Sequence, residues 1–328
     1  YYHSDLDLLT YEKLRGNQLV FIDMINAAKV ENVLPLLNKM AKNGTKVFAI
    51  GSQEASGLGA YSSIQLDAKT IEFYEQSGRD NLVGMILDQC QRSFGFDIPD
   101  QQPIPMPEFA LCNIQNNEIY QNFESYKEEY AAYMQGNPWI AINMWRSDFL
   151  SEQLIHFKEY ATQFEDNGFN VLFYYGYPKK EDIKRLFYDE NNQLVPEVIL
   201  AQAAWLGANP RTNREAFEEL ALPVINMMHL NQTVNAWMEN DQGIKIYKRT
   251  SSLNIPEQMG MIQPIVTSSK ERVDPSSPWT EKRSILFQVQ RLLKRVQKKH
   301  VLQNKPNQEK QIALIYYSHP PGKELLGA

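Results

Sequence analysis

Along this chain, short apolar runs alternate with segments whose apolar residues recur every three to four positions. Residues 17–25, NQLVFIDMI, form the first run and are rich in strand formers. Val33, Leu34, Leu36, Leu37 and Met40 then follow helical spacing. Asn43-Gly44 closes that segment, because a left-handed residue ends a helix at little cost. A second run, KVFAIGS, starts at Lys46. The same order recurs later. Residues 139–145 read WIAINMW, and a helix is predicted with Leu150, Leu154, Phe157, Tyr160, Ala161 and Phe164 on its apolar face. Asn167-Gly168 ends it, and residues 170–175, NVLFYY, form the next strand. Strand, helix, Asn-Gly and strand is how a βαβ unit reads in sequence.

Residues 195–203 and 222–227 are further strand candidates, with helical patterning from Arg214 to Leu220 between them. Alternation of this kind predicts an α/β fold with a parallel sheet covered on both faces. Two such domains in tandem are expected, open and parallel-sheeted in the Rossmann-like or periplasmic-binding-like manner. Ligands of these sheets sit beyond the carboxyl ends of the strands. That rule places the Gly51 loop, Arg146-Ser147, the loop from Tyr174 to Pro178 that includes Tyr175, and Met228-His229 at candidate ligand edges. Pro99 to Pro107 carries four prolines and reads as a linker, since proline interrupts helices and central strands. Glu124 to Met134 reads as a tyrosine-rich helix, and Asp274 to Pro278 as a break before a basic helix from about Thr280 to Gln303. Gln311 to Tyr317, QIALIYY, reads as a further strand.

Composition narrows the classes. Of 328 residues, 43% are hydrophobic, which is enough for packed cores and excludes a disordered chain. The two cysteines, Cys90 and Cys112, exclude a disulfide scaffold or a four-cysteine zinc site built from this chain. No apolar run approaches the roughly 18–20 residues of a membrane-spanning helix. The net charge of −6 conceals a split, because residues 282–310 hold nine Lys or Arg and one acid. Ile285, Leu286, Val289, Leu292, Leu293 and Val296 share one helical face in that stretch. It therefore reads as an amphipathic helix packed on its own protein, basic side to solvent. An acidic body repels phosphate, so a nucleic-acid partner is not expected.

The chemistry is sparse. Gly51 to Ala60, GSQEASGLGA, lacks both the Gly-Lys-Ser/Thr ending of a P-loop and the G-x-G-x-x-G spacing, and reads as a connection. The five histidines, at 3, 156, 229, 300 and 319, form no metal-ligand pair on one element. There is no G-x-S-x-G elbow. Asn254 to Val266, NIPEQMGMIQPIV, is a Pro-Glu-x-x-Gly turn before a short strand, able to present Glu257 at a domain boundary or leave it exposed.

Residues 304–328, NKPNQEKQIALIYYSHPPGKELLGA, resemble the cobaltochelatase large subunit and magnesium chelatase H subunit family. Lys305-Pro306-Asn307, Lys310, the strand 312–317, Pro320 to Lys323 and Gly327-Ala328 carry the likeness. Asn254 to Val266 is similar to the family's Pro-Glu-Leu-Asp-Gly segment, with Gln258-Met259 in place of Leu-Asp. Trp237 with Gly243, and the stretch from Glu129-Tyr130 through Arg146, also fit.

The resemblance implies metal insertion into a tetrapyrrole, driven by ATPase-type partner subunits. The corrinoid or porphyrin ring and a divalent metal (cobalt, magnesium or iron) would be substrates, with no cofactor held in this chain. Metallation needs a group that takes pyrrole protons, and Glu257 and His319 are the nominees. Arg146, His229 and Tyr175 are nominated for ligand contact. The expected division is a first α/β domain at 1–108, a second at 109–279, a linking helix at 280–303, and the start of a main body at 304–328. The chain is thus expected to be an N-terminal portion of a longer subunit, in the cytoplasm or alternatively the cell envelope. A divergent member that handles heme, including metal removal, and a non-catalytic binding or docking module remain open alternatives.

Overall fold

The computed structural model describes residues 16–23, 31, 33–51, 57–177, 180–202, 210–241, 243–274 and 279–313. The chain divides into two compact units, Tyr1–Ala110 with Trp145–Gln153, and Leu111–Met144 with Leu154–Ala328.

The first unit contains a three-stranded parallel sheet, β1 (Leu19–Ile22), β2 (Lys46–Ala49) and β3 (Gln65–Leu66), in that spatial order. Helix α1 (Leu34–Lys42) links β1 to β2, and Gly44 follows it at φ 92°, the left-handed turn anticipated from Asn-Gly. Ile22, Leu37, Val47, Ala49, Leu58 and Ile64 form the core beneath the sheet. Two more helices follow, α2 (Ala68–Gln76) and α3 (Arg79–Phe94). Asp67 caps α2 by accepting from the Thr70 amide at 2.8 Å. The proline-rich stretch is irregular, as its composition requires, and it is fastened at intervals. The Asn81 side chain exchanges two hydrogen bonds with the backbone of Ile104, at 2.8 and 2.9 Å. The Met106 amide donates to the Gln76 side chain at 2.7 Å.

The second unit is built on an eight-stranded sheet. Its strands are β4 (Ala110–Asn113), β5 (Glu118–Tyr120), β6 (Trp139–Met144), β7 (Asn170–Tyr175), β8 (Pro196–Ala201), β9 (Val224–His229), β10 (Ile262–Arg272) and β11 (Thr280–Ser284). Their order is β11-β10-β9-β8-β6-β7-β4-β5. The centre is parallel from β7 through β10, and both edges end in antiparallel pairs, β10 with β11 and β4 with β5. Every residue of β6 and β7 is buried, as central strands covered on both faces must be. Helix α4 (Phe123–Glu129) brings Tyr126, whose hydroxyl donates to the Val171 carbonyl at 2.8 Å.

Several sequence expectations are corrected. The helix expected over 150–164 is two, α5 (Arg146–Leu150) and α6 (Ile155–Glu165). Glu152 adopts φ 56°, and the Gln153 amide turns back to the Asp148 carbonyl, which ends α5 after five residues. The tyrosine-rich helix stops at Glu129, because Tyr130 turns extended (ψ 94°) so that its hydroxyl reaches Glu165 at 2.5 Å. The strand after Pro256-Glu257 is eleven residues long rather than short. Thr280–Ser284 is an edge strand, since its backbone groups pair with Ser268–Arg272; the basic helix follows it. That helix and its predecessors in the unit are α7 (Lys180–Phe187), α8 (Pro210–Leu220), α9 (Val234–Met238), α10 (Ile246–Arg249), α11 (Ile255–Gln258) and α12 (Leu286–Asn304). On α12, Val289, Leu292, Leu293 and Val296 are buried, while Leu286 is exposed. Gln311–Ala313 are not strand, and the rest of the expected strand at 311–317 lies outside the described residues.

Candidate functional site

Strand β9 ends at His229, and the chain beyond it forms one wall of a cleft. Its lining is Met228 to Gln232 from the strand end, Gly243 to Lys245 from the turn before α10, and Lys248 and Ser252 from the helical stretch that follows. The cleft is shallow and open to solvent, with about 30 Å³ of room inside it, the scale of one small polar group. It lies at a carboxyl strand end, where an open α/β sheet presents loops and side chains to ligands. Leu253, Trp237, Ile244 and Val234 pack against Met228, Leu230, Val266 and Ile285, so the floor is apolar and the rim polar.

Charge is unevenly distributed here. Lys245 and Lys248 lie three residues apart, one helical turn, and both line the cleft. Burial pushes the Lys248 ammonium below its ordinary range, and the charges of Lys245 and Lys270 push it further. Neither Lys245 nor Lys248 has an acidic partner among the described residues. His229 is held neutral: burial first, then Lys282, Lys248 and Lys270, lower its pKa to about 3.

Behind His229 runs a line of buried polar groups. Its Nδ1 lies 3.0 Å from Ser268 Oγ on β10. Ser268 Oγ accepts from Gln202 Nε2 at 3.1 Å, and Gln202 Oε1 lies 3.5 Å from His156 Nε2 on α6. Ser268 and His156 are fully buried. Burial, with Lys282 and His229 contributing, drives His156 well below the ordinary histidine range.

The CobN/Magnesium Chelatase family profile matches residues 71–328. The chain belongs to the CobN/magnesium chelatase family. A solved structure of the catalytic subunit of cobaltochelatase from Mycobacterium tuberculosis superposes with a TM-score of 0.59 at 16% identity, covering 89% of this chain and 24% of that one. An uncharacterized protein of Methanocaldococcus jannaschii is 18% identical over 278 residues, 79% of this chain and 22% of its own length. The chain therefore spans about a quarter or less of the relatives it matches, and the likeness to the cobaltochelatase structure concerns the fold.

Within this family member, the residues nominated from sequence are dispersed. His229 lines the cleft. Tyr175 is fully buried at the end of β7, and Glu257 is exposed on α11; neither lines the cleft. His319 lies outside the described residues. Arg146 belongs to the first unit, where its guanidinium is spent on backbone carbonyls. It donates to Gln76 at 2.9 Å, Pro107 at 3.0 Å, and Glu75 and Met106 at 3.3 Å. Met259, where the family pattern has Asp, is fully buried. Lys245, Lys248, Gln202 and Ser268 went unnoticed in the sequence, because no local motif sets a serine on one strand beside a histidine on its neighbour. The pair Lys245 and Lys248 at helical spacing just after Gly243 was the one available signal. Among the described residues, no group of three or more His, Cys, Asp or Glu is placed to hold a metal ion, and no helix is long and apolar enough to cross a membrane.

Proposed function

We propose that this chain is part of the large subunit of a chelatase, and that it helps hold a tetrapyrrole ring while ATPase partner subunits drive insertion of a metal. The observation that carries this reading is the family match over residues 71–328, joined to a cationic cleft at a carboxyl strand end. Corrinoids and porphyrins are broad apolar rings edged with acid side chains. An apolar floor flanked by two lysines without acidic partners among the described residues suits such an edge. Ring and divalent metal are substrates in this reading. Glu257 and His319 remain nominees for taking pyrrole protons, and Arg146, Tyr175 and His229 for contact with the ring. The free Cys90 and Cys112 fit a reducing, cytoplasmic setting.

A second reading rests on Met259. A buried thioether stands where the family pattern has a carboxylate, which favours a divergent role with heme, including metal removal. Absorbance titration of the full chain with hemin and with a metal-free porphyrin tests both. A saturable shift of the main visible band is expected, larger with hemin under the second reading. No shift with either ring would refute ring binding by this chain.

A further inference from the structure

The direction of the hydrogen bonds behind His229 can be worked out. Gln202 Nε2 can only donate, so Ser268 Oγ accepts from it. The Ser268 hydroxyl must place its own proton elsewhere. It is fully buried, and among the described residues its one remaining hydrogen-bond partner is His229 Nδ1. Ser268 therefore donates to Nδ1, which is an acceptor. A neutral imidazole with Nδ1 accepting carries its proton on Nε2. Nε2 makes no hydrogen bond to a described residue, and His229 lines the cleft. His156 agrees from the other end. With Nε2 donating to Gln202, its Nδ1 is bare, and that atom is buried without a partner among the described residues.

The cleft thus gathers two ammonium groups, an imidazole N–H, the Asn231 and Gln232 amides and the Ser252 hydroxyl, with no carboxylate among the described residues of its lining. A neutral N–H cannot ligate a metal or accept a pyrrole proton through the same atom. We propose that this cleft is a carboxylate receptor, in which Ser268 fixes His229 as a neutral Nε2–H donor and Lys245 and Lys248 supply the positive charge. Its carboxylate is an acid side chain at the edge of the tetrapyrrole, a step that rests on the chelatase reading above; the anion site does not. Gln202 and Ser268 are positioning residues, acting through the ring of His229.

The test uses the full chain and four probes: coproporphyrin, its tetramethyl ester, glutarate and inorganic phosphate. Coproporphyrin is expected to bind at least about tenfold more tightly than the ester, from the strength of charge-assisted hydrogen bonds. Lys248→Gln should close most of that gap. Ser268→Ala should narrow it severalfold with both lysines intact. Long-range proton–nitrogen NMR at neutral pH should find His229 as the Nε2–H tautomer, assigned against His229→Gln, and Ser268→Ala should mix the tautomers. Should Ser268→Ala fail to fold, Lys248→Gln and the wild-type tautomer still decide. An Nδ1–H tautomer overturns the proposed role of His229. Equal binding of acid and ester overturns the carboxylate site while leaving ring binding in place. Binding of glutarate or phosphate but of neither porphyrin upholds the anion site and overturns its assignment to the ring. Binding of none of the four overturns both.

Discussion

Replacing Arg146 separates a structural role from a ligand-binding one. Its guanidinium reaches four backbone carbonyls, at 2.9, 3.0, 3.3 and 3.3 Å, and two of them, Glu75 and Gln76, are the last of α2. Those carbonyls lie at the end of a helix, where intrahelical donors run out and the dipole favours a cation. The other two belong to Met106 and Pro107, so one side chain ties the proline-rich stretch to the helix. The two shorter bonds are each worth about 1.5 kcal/mol as hydrogen bonds from a charged donor on a half-buried side chain, and the longer pair adds little. Arg146→Ala should therefore cost about 3 kcal/mol. That corresponds to roughly 10–20 °C in the melting of the first unit. Arg146→Lys keeps the charge but not the fork, and should cost about half as much. Hydrogen exchange resolved on α2 and α3 is the assay, because it reads the local unit rather than the whole chain. An Arg146→Ala protein with unchanged exchange on α2 but no ring titration would contradict the structural role and return Arg146 to the ligand-contacting residues.

Acid should weaken the fold in two windows. Asp67 is held well below the usual carboxylate range, chiefly by hydrogen bonds from Arg92, so its stabilisation is present above about pH 4, the unfolded value, and is lost as pH falls toward its folded pKa. His229, lowered to about 3, disfavours the folded state progressively as pH drops below about 6.5, with Lys248, Lys270 and Lys282 all facing it. Buried His156, lowered likewise, adds to the same upper window. Denaturant midpoints measured from pH 7 to pH 3 should therefore begin to fall near pH 6; Arg92→Met should flatten the lower limb, and His229→Gln should make the upper shallower, leaving the share of His156. Cys112 is fully buried and its thiol is pushed up by burial, so maleimide should label Cys90 alone in native protein and both after unfolding. Labelling of Cys112 at native rates would show the sheet open there. Gly168→Ala at φ 82° meets no neighbouring atom, so its cost is backbone strain alone, about 1–2 kcal/mol by denaturation. A neutral substitution would contradict the left-handed turn.

Much of this architecture is written locally. The period of the apolar residues distinguishes strand from helix, and Asn-Gly marks the left-handed closures at Gly44 and Gly168, so β1–α1–β2 and β6, α6 and β7 were legible. The family was legible too, from Lys-Pro-Asn and the Pro-Glu turn, which lie within the longer region, 71–328, that the profile matches. Local pattern failed where a neighbour decided the outcome. Thr280–Ser284 became strand because β10 offered it an edge, and Tyr130 left its helix for Glu165. Arg146, at the strand end where ligands gather, was turned to the carbonyls of α2. The cleft belongs wholly to this second kind. Gln202, His229, Lys248 and Ser268 come from separate elements, and sheet order places β9 between β8 and β10 so that their side chains meet at its end. One chain position cannot encode which strand lies beside it, whereas burial of a shared apolar face fixes that neighbour, and with it the proton on His229.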